Sequence, residues 1–330
     1  MNFSPITNTP EYAFLNENPH LGNNIILLGY GGSTAYGTNL PTSDTDIRGV
    51  ALRTKSEILL GKDYETVVDT PTDTTIYSFD KMLGLLSECN PNCIEILGLK
   101  PEHYLYVTDI GRRLLDNKNI FLSKRCIHTF GGYATQQLYR LRQKSLNALS
   151  PTEYNAHIVK VIEGIHDHLK KNFPDVADNL HIRQNDTGLV FDFDKMTDIP
   201  AEEFEGIANE VSAIIRTYNK NSSRNNKAMA HAKIHKHAMH LIRLYMMCVD
   251  LLETGEIITY RANEHDTLMK IRNGEMLADD GMLSQEFWDL LASWEARFNE
   301  AQTKTELPDN PDFAAIEKLR YEINESIVTK

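Results

Sequence analysis

The apolar run Ile25-Ile26-Leu27-Leu28 leads directly into Gly29-Tyr30-Gly31-Gly32-Ser33, and a short stretch later the chain reads Ser43-Asp44-Thr45-Asp46. Such a run reads as a buried strand, and the glycines after it permit a tight turn in which backbone N–H groups converge on an anion. A return strand expected over Asp44–Arg53 would place alternate residues on one face, so that the carboxylates of Asp44 and Asp46 share one divalent cation. An anion cradle beside an acid pair points to metal-assisted phosphoryl or nucleotidyl chemistry. A dinucleotide-binding loop fits poorly, because the Gly-x-Gly-x-x-Gly spacing is missing and the return strand comes too soon for a crossover helix. No Gly-Lys-Ser/Thr follows, which excludes a Walker loop.

Gly32-Ser33, a short spacer and Asp44-Thr45-Asp46 resemble the signature of the polymerase-β-type nucleotidyltransferase superfamily. More narrowly, the chain resembles its YcgL/RlaP-like branch, some members of which are associated with RNA ligases. Three further segments carry the likeness: Asp46–Val50, Asn90-Pro-Asn-Cys-Ile-Glu-Ile-Leu97, and Lys236-His-Ala-Met-His240-Leu-Ile-Arg243 followed by Leu251–Ile257. The resemblance implies an α+β fold, a small polymerase-β-like nucleotidyltransferase domain with a mixed sheet and helices, followed by a mainly α-helical domain. It also implies that Ser33 contacts nucleotide phosphates, that Asp44 and Asp46 hold Mg²⁺ (or Mn²⁺), and that a later strand supplies a third acid. Asp73, just before Thr74-Thr-Ile-Tyr-Ser78, is the favoured third acid and Asp69 the runner-up; either can instead cap a turn around Pro71. Arg48, on the face expected for the acid pair, either contacts a phosphate or neutralises the acids.

At 330 residues the chain has room for roughly two domains, and 41% hydrophobic content is sufficient for real cores. The expected division is 1–122 for the catalytic domain and 123–330 for the helical one, with a β-hairpin near 181–193 turning at Asn185-Asp186-Thr187-Gly188. Strands are expected at Asn24–Gly29, Asp44–Arg53, Glu65–Thr70 and Thr74–Ser78, and helices at Phe79–Glu88 and Pro91–Leu99. Beyond Lys124, helices are expected at His128–Leu146, Thr152–Lys171, Ala201–Asn219, Asn225–Thr254, Asp266–Asn273, Ser284–Ala301 and Asp312–Ile327. No apolar run approaches a membrane span, and the N-terminus Met1-Asn-Phe-Ser-Pro5 lacks the regions of a signal peptide, which points to a cytoplasmic protein. Cys89, Cys93, Cys126 and Cys248 are too scattered for a disulfide framework and read as buried thiols. A formal charge of −12 argues against a broad nucleic-acid-coating surface, while leaving room for one local basic patch that takes an end.

Lys233, Lys236, His240 and Arg243 recur at helical spacing along one stripe. On periodicity alone this is a solvated basic face; the resemblance assigns Lys236, His240 and Arg243 to the triphosphate. Glu95 either orients an active-site group or is a buried acid satisfying nearby N–H groups. The expected reaction moves an NMP from an NTP, ATP among them, to an acceptor hydroxyl and releases pyrophosphate. Asp44, Asp46 and Asp73 hold the metal, and the Gly31–Gly32 backbone and Ser33 hold the β- and γ-phosphates. An RNA end is the favoured acceptor. Two other readings of the same residues are a non-catalytic nucleotide-binding or antitoxin-like regulator and a protein-modifying (AMPylating) nucleotidyltransferase.

Overall fold

The computed structural model describes residues 3–62, 64–146, 170, 180–185, 188–193, 234–279 and 281–329. Chain contacts divide the protein into two compact units, Met1–Leu138 with His235–Lys330, and Tyr139–Ile234. The first unit is built on a five-stranded sheet of order β3-β4-β2-β1-β5. Its strands are β1 (Ile25–Tyr30), β2 (Ile47–Ala51), β3 (Thr66–Asp69), β4 (Thr74–Ser78) and β5 (Tyr104–Val107). The sheet is mixed: β1 runs antiparallel to β2 and β5, β3 antiparallel to β4, and β2 parallel to β4. The helices are α1 (Phe14–Glu17), α2 (Gly32–Tyr36), α3 (Lys55–Leu60), α4 (Phe79–Ser87), α5 (Pro91–Ile94), α6 (Asp109–Asp116) and α7 (Arg125–Leu146), then α8 (Ile234–Thr254), α9 (His265–Arg272), α10 (Gln285–Lys304) and α11 (Phe313–Val328). The protein is thus α+β, a mixed sheet followed by a helical C-terminal region.

Both faces of the sheet are covered, which explains why β1 is a continuous apolar run rather than an alternating one. On one face Ile26, Leu27 and Val50 pack with Phe79, Met82 and Leu86 of α4 and with Leu244, Met247 and Leu251 of α8. On the other, Ile25, Leu28, Ile47, Ala51 and Ile76 pack with Phe3, Tyr12 and Leu15 of the N-terminal segment. Local signals set the element ends. Ser78 caps α4 by accepting from Lys81 N–H, and Thr54 with Glu57 forms a reciprocal capping box at α3. Asn90 caps α5 by accepting from Asn92 N–H, with Pro91 in the first turn where its missing N–H costs nothing.

Two expected elements differ. The strand expected from Asp44 begins at Ile47, because pairing with β4 starts at Ile47 and Thr74 and the preceding chain closes a turn in which Leu40 N–H donates to Ser43 Oγ. Asp44 and Asp46 therefore sit before the strand, and the two-residue alternation does not relate them. The helix expected over Pro91–Leu99 ends at Ile94 and tightens to a 3-10 turn over Glu95–Gly98. Here the Glu95 and Gly98 carbonyls accept from the Thr259 hydroxyl and the Thr259 N–H, so they leave the α-helical ladder. Strand β5 and helix α6 lie outside the expected elements; β5 is half-buried throughout, whereas α6 is strongly amphipathic, with Leu114 and Leu115 buried and Arg112 and Arg113 exposed.

In the second unit the described part is chiefly a hairpin, β6 (Leu180–Asn185) and β7 (Gly188–Phe193), paired up to Asn185 and Gly188 as expected. The helices expected over Thr152–Lys171 and Ala201–Asn219, the beginning of Asn225–Thr254, and Lys233 lie outside the described residues, Lys170 excepted. All four cysteines are buried and free. Among the described residues no helix is long and apolar enough to cross a membrane.

Candidate active site

Register brings the acids together. Ile47 of β2 pairs with Thr74 of β4, so one step earlier along two parallel strands Asp46 and Asp73 stand side by side, bonded carboxyl to carboxylate. Asp73 is one of two non-glycine residues with positive φ (45°) among the described residues, which fits its place at the turn entering β4. Arg48 lies over both acids: Nη1 is 2.8 Å from the Asp73 carbonyl and 3.5 Å from Asp73 Oδ1, and Nη2 is 3.8 Å from Asp46 Oδ1. Its guanidinium therefore contacts the acids themselves.

Burial, then the hydrogen bond and charge of Asp73, push Asp46 up to about 7, against the pull of Arg48 and Lys236. Asp73 is held below its ordinary value, first by the hydrogen bond from Asp46, with Arg48 and Lys236 assisting against burial. The pair thus shares one proton near neutrality, with Asp46 keeping it, because two adjacent carboxylates cannot both ionise cheaply.

The glycine turn closes on the same acid. Gly31 N–H donates to the Asp46 carbonyl at 2.8 Å, and a Cβ at Gly32 would overlap the Asp46 carboxylate. Gly32 also has φ +53°, a region L side chains avoid. Gly32→Ala is therefore expected to cost at least about 1–2 kcal/mol from backbone strain alone and to displace Asp46, seen as a lower denaturation midpoint. Helix α2 starts there, carrying Ser33 in its first turn.

Asp44 is exposed, two residues before Asp46. Asp69 is occupied otherwise: its Oδ2 accepts from Thr72 N–H (3.1 Å) and Thr72 Oγ1 (2.7 Å), the hydrogen bonding of a turn residue. Among the described residues no group of three or more His, Cys, Asp or Glu is placed to hold a metal ion. The Asp46–Asp73 pair nevertheless fits a divalent cation of the Mg²⁺ kind, which is commonly held by one or two carboxylates while phosphate oxygens and water fill its other positions. Two abutting carboxylates that retain a proton at neutral pH are what such an ion would relieve.

The basic stripe on α8 is graded rather than uniformly solvated. Lys236 is exposed and its charge reaches Asp46 and Asp73, while His240 is half-buried. Arg243 is only 2% exposed, with its guanidinium 3.4 Å from the centre of the Tyr36 ring, 3.5 Å from Glu95 Oε2 and 2.8 Å from His240 Nδ1. Glu95 is raised above its ordinary value by burial, with Arg243 pulling the other way. Tyr36 donates its hydroxyl to the same Glu95 oxygen and is itself pushed well above the usual tyrosine range by burial. Tyr36 was not singled out from the sequence. Its signal is an aromatic side chain in the last turn of a short helix ended by Gly37, whose φ is +74°.

No curated protein and no solved structure matches the chain. The model of one family does, over residues 11–173, and its description is RlaP, the RNA repair pathway DNA polymerase beta family. This span holds the sheet, the glycine turn and the paired acids, and the match is consistent with a polymerase-β-type nucleotidyltransferase of the RlaP branch.

Proposed function

We propose that the protein is a metal-dependent nucleotidyltransferase that moves an NMP from an NTP to an acceptor hydroxyl, an RNA end being the favoured acceptor. The observation that carries this reading is the Asp46–Asp73 pair abutting the Gly31–Gly32 turn, with Arg48 and Lys236 around it. In this reading residues 1–122 are the catalytic domain and 123–330 the helical one. Asp46 and Asp73, with Asp44 from the loop beside them, hold Mg²⁺ or Mn²⁺. Such an ion supplies charge neutralisation on the phosphates when bound. Gly31 was expected to hold phosphate, but its N–H is spent on the Asp46 carbonyl; the Gly32 backbone and the Ser33 hydroxyl hold the β- and γ-phosphates, and Lys236 and His240 approach the triphosphate from α8. Arg48 keeps the two acids together, and Arg243, buried against Glu95, acts through its neighbours. The acceptor oxygen bonds to the α-phosphorus and gives up its proton to water as the α–β bridging bond breaks, so pyrophosphate leaves. Most of the rate effect comes from positioning and charge placement.

The test is a screen of the four labelled NTPs with Mg²⁺ or Mn²⁺ against RNA ends, proteins and small hydroxyl metabolites. Label on RNA supports the favoured acceptor, and label on protein identifies an AMPylating enzyme. Nucleotide bound with no labelled product identifies a non-catalytic, antitoxin-like or sensing role. Within the acids, Asp73→Asn is expected to lower transfer by about a hundredfold or more, whereas Asp69→Asn retains most of its turn hydrogen bonding and stays within about threefold. Initial rates of the two variants decide between them, and the reverse order would move the third acid to Asp69.

A further inference from the structure

We propose that Tyr36, Glu95 and Arg243 form one buried positioning unit that holds helix α2, and with it Ser33, in place beside the acid pair. A helix of five residues has too few internal hydrogen bonds to hold its own shape or orientation and depends on tertiary anchors. Its last residue supplies one. Tyr36 is 6% exposed, its hydroxyl donates to Glu95 Oε2, and its ring lies under the Arg243 guanidinium at 3.4 Å. Glu95, also 6% exposed, accepts from both partners and is carried by the 3-10 turn after α5, whereas Arg243 comes from the middle of α8. Three separate elements therefore meet on a single carboxylate.

Shape alone would be served as well by apolar side chains, since a buried ion pair seldom stabilises more than a well-packed hydrophobic substitute. The charged trio adds direction: the stacked guanidinium and the hydroxyl bond fix the ring's tilt and hence the angle of α2. The same arginine reaches a second candidate site residue. A guanidinium only donates, so His240 Nδ1 accepts the 2.8 Å bond, and neutral His240 carries its proton on Nε2. One buried carboxylate thus governs both the serine-bearing helix and the tautomer of the histidine on α8.

The role given to Ser33 rests on the nucleotidyltransferase reading, so the experiment has one readout that needs nucleotide and one that does not. Tyr36→Phe keeps the ring beneath Arg243 and removes one hydroxyl bond to a carboxylate. Tyr245→Phe is the matched control, because Tyr245 of α8 also donates to a carboxylate, Glu295, at 3.1 Å, on another side of the core. Amide hydrogen exchange over residues 32–37 is expected to quicken about tenfold in Tyr36→Phe and to stay unchanged in Tyr245→Phe. Calorimetry with each of the four NTPs and Mg²⁺ is expected to give about tenfold weaker binding for Tyr36→Phe alone. Unchanged exchange over 32–37, or equal nucleotide affinities in the two variants, overturns the positioning role. A wild-type protein that binds none of the NTPs overturns the nucleotidyltransferase reading, while the exchange measurement still decides whether the unit holds α2.

Discussion

Asp46→Asn is expected to abolish nucleotide transfer while making the cation-free protein more stable. In the proposed function Asp46 helps carry a divalent ion and loses its charge in this substitution, and the loss expected is about a thousandfold in rate, the upper end of what removing one preorganised electrostatic group costs. Stability moves the other way. Asp46 binds its proton more tightly folded (about 7) than unfolded, so between the ordinary aspartate range and about pH 7 the native state holds more protons than the unfolded chain. Stability of the wild type therefore falls as pH rises through that window. Asp73, held low, contributes in the opposite sense, with stability present above its unfolded value and lost as pH falls. Asn at position 46 removes the first effect and flattens the profile. Urea midpoints in chelator at pH 5 and pH 8 check this directly, and labelled-NTP transfer checks the rate. Full activity in Asp46→Asn would sink the metal assignment.

Arg243→Ala should be strongly destabilising, at about 3–5 kcal/mol, because it leaves buried Glu95 with the Tyr36 hydroxyl but no charge partner and empties the space over Tyr36. Lys236→Ala, seven residues earlier on the same helix, removes an exposed side chain and is expected within about 0.5 kcal/mol. The two charges belong to one sequence stripe, so the comparison isolates burial. Chemical denaturation of both variants measures it, and similar small shifts would show that Arg243 is solvated in solution.

The parts of the fold that were legible are those with strong local signals. The run Ile25–Leu28 marked β1, the hairpin was readable from its turn residues, and Asn90-Pro91 marked the start of α5. The start of β2 was not, because it depends on where β4 lies alongside, a matter of register between segments far apart in sequence. The same register brings Asp73, rather than Asp69, next to Asp46; both acids flank the turn around Pro71, and local sequence does not separate them. Edge strand β5 is half-buried throughout, so neither alternation nor a solid apolar run betrayed it. Arg243 reads as one more cation at helical spacing until its neighbours are known. Its burial follows from Tyr36 and Glu95, which lie more than a hundred residues earlier.

The parallel pairing of β2 and β4 also bears on how the protein folds. Strand β4 pairs with β3 as a local antiparallel hairpin, whereas β2 joins across the intervening α3 and β3, so contact order predicts that β3 and β4 pair first. The mutual repulsion of Asp46 and Asp73 is thus absent from the hairpin and arises only as the hairpin docks onto β2. A proton or a divalent cation present at that moment is expected to lower the barrier to docking. The ion expected to serve the reaction would, by the same contact, act earlier as a folding aid, drawing together two strands whose acids otherwise hold them apart.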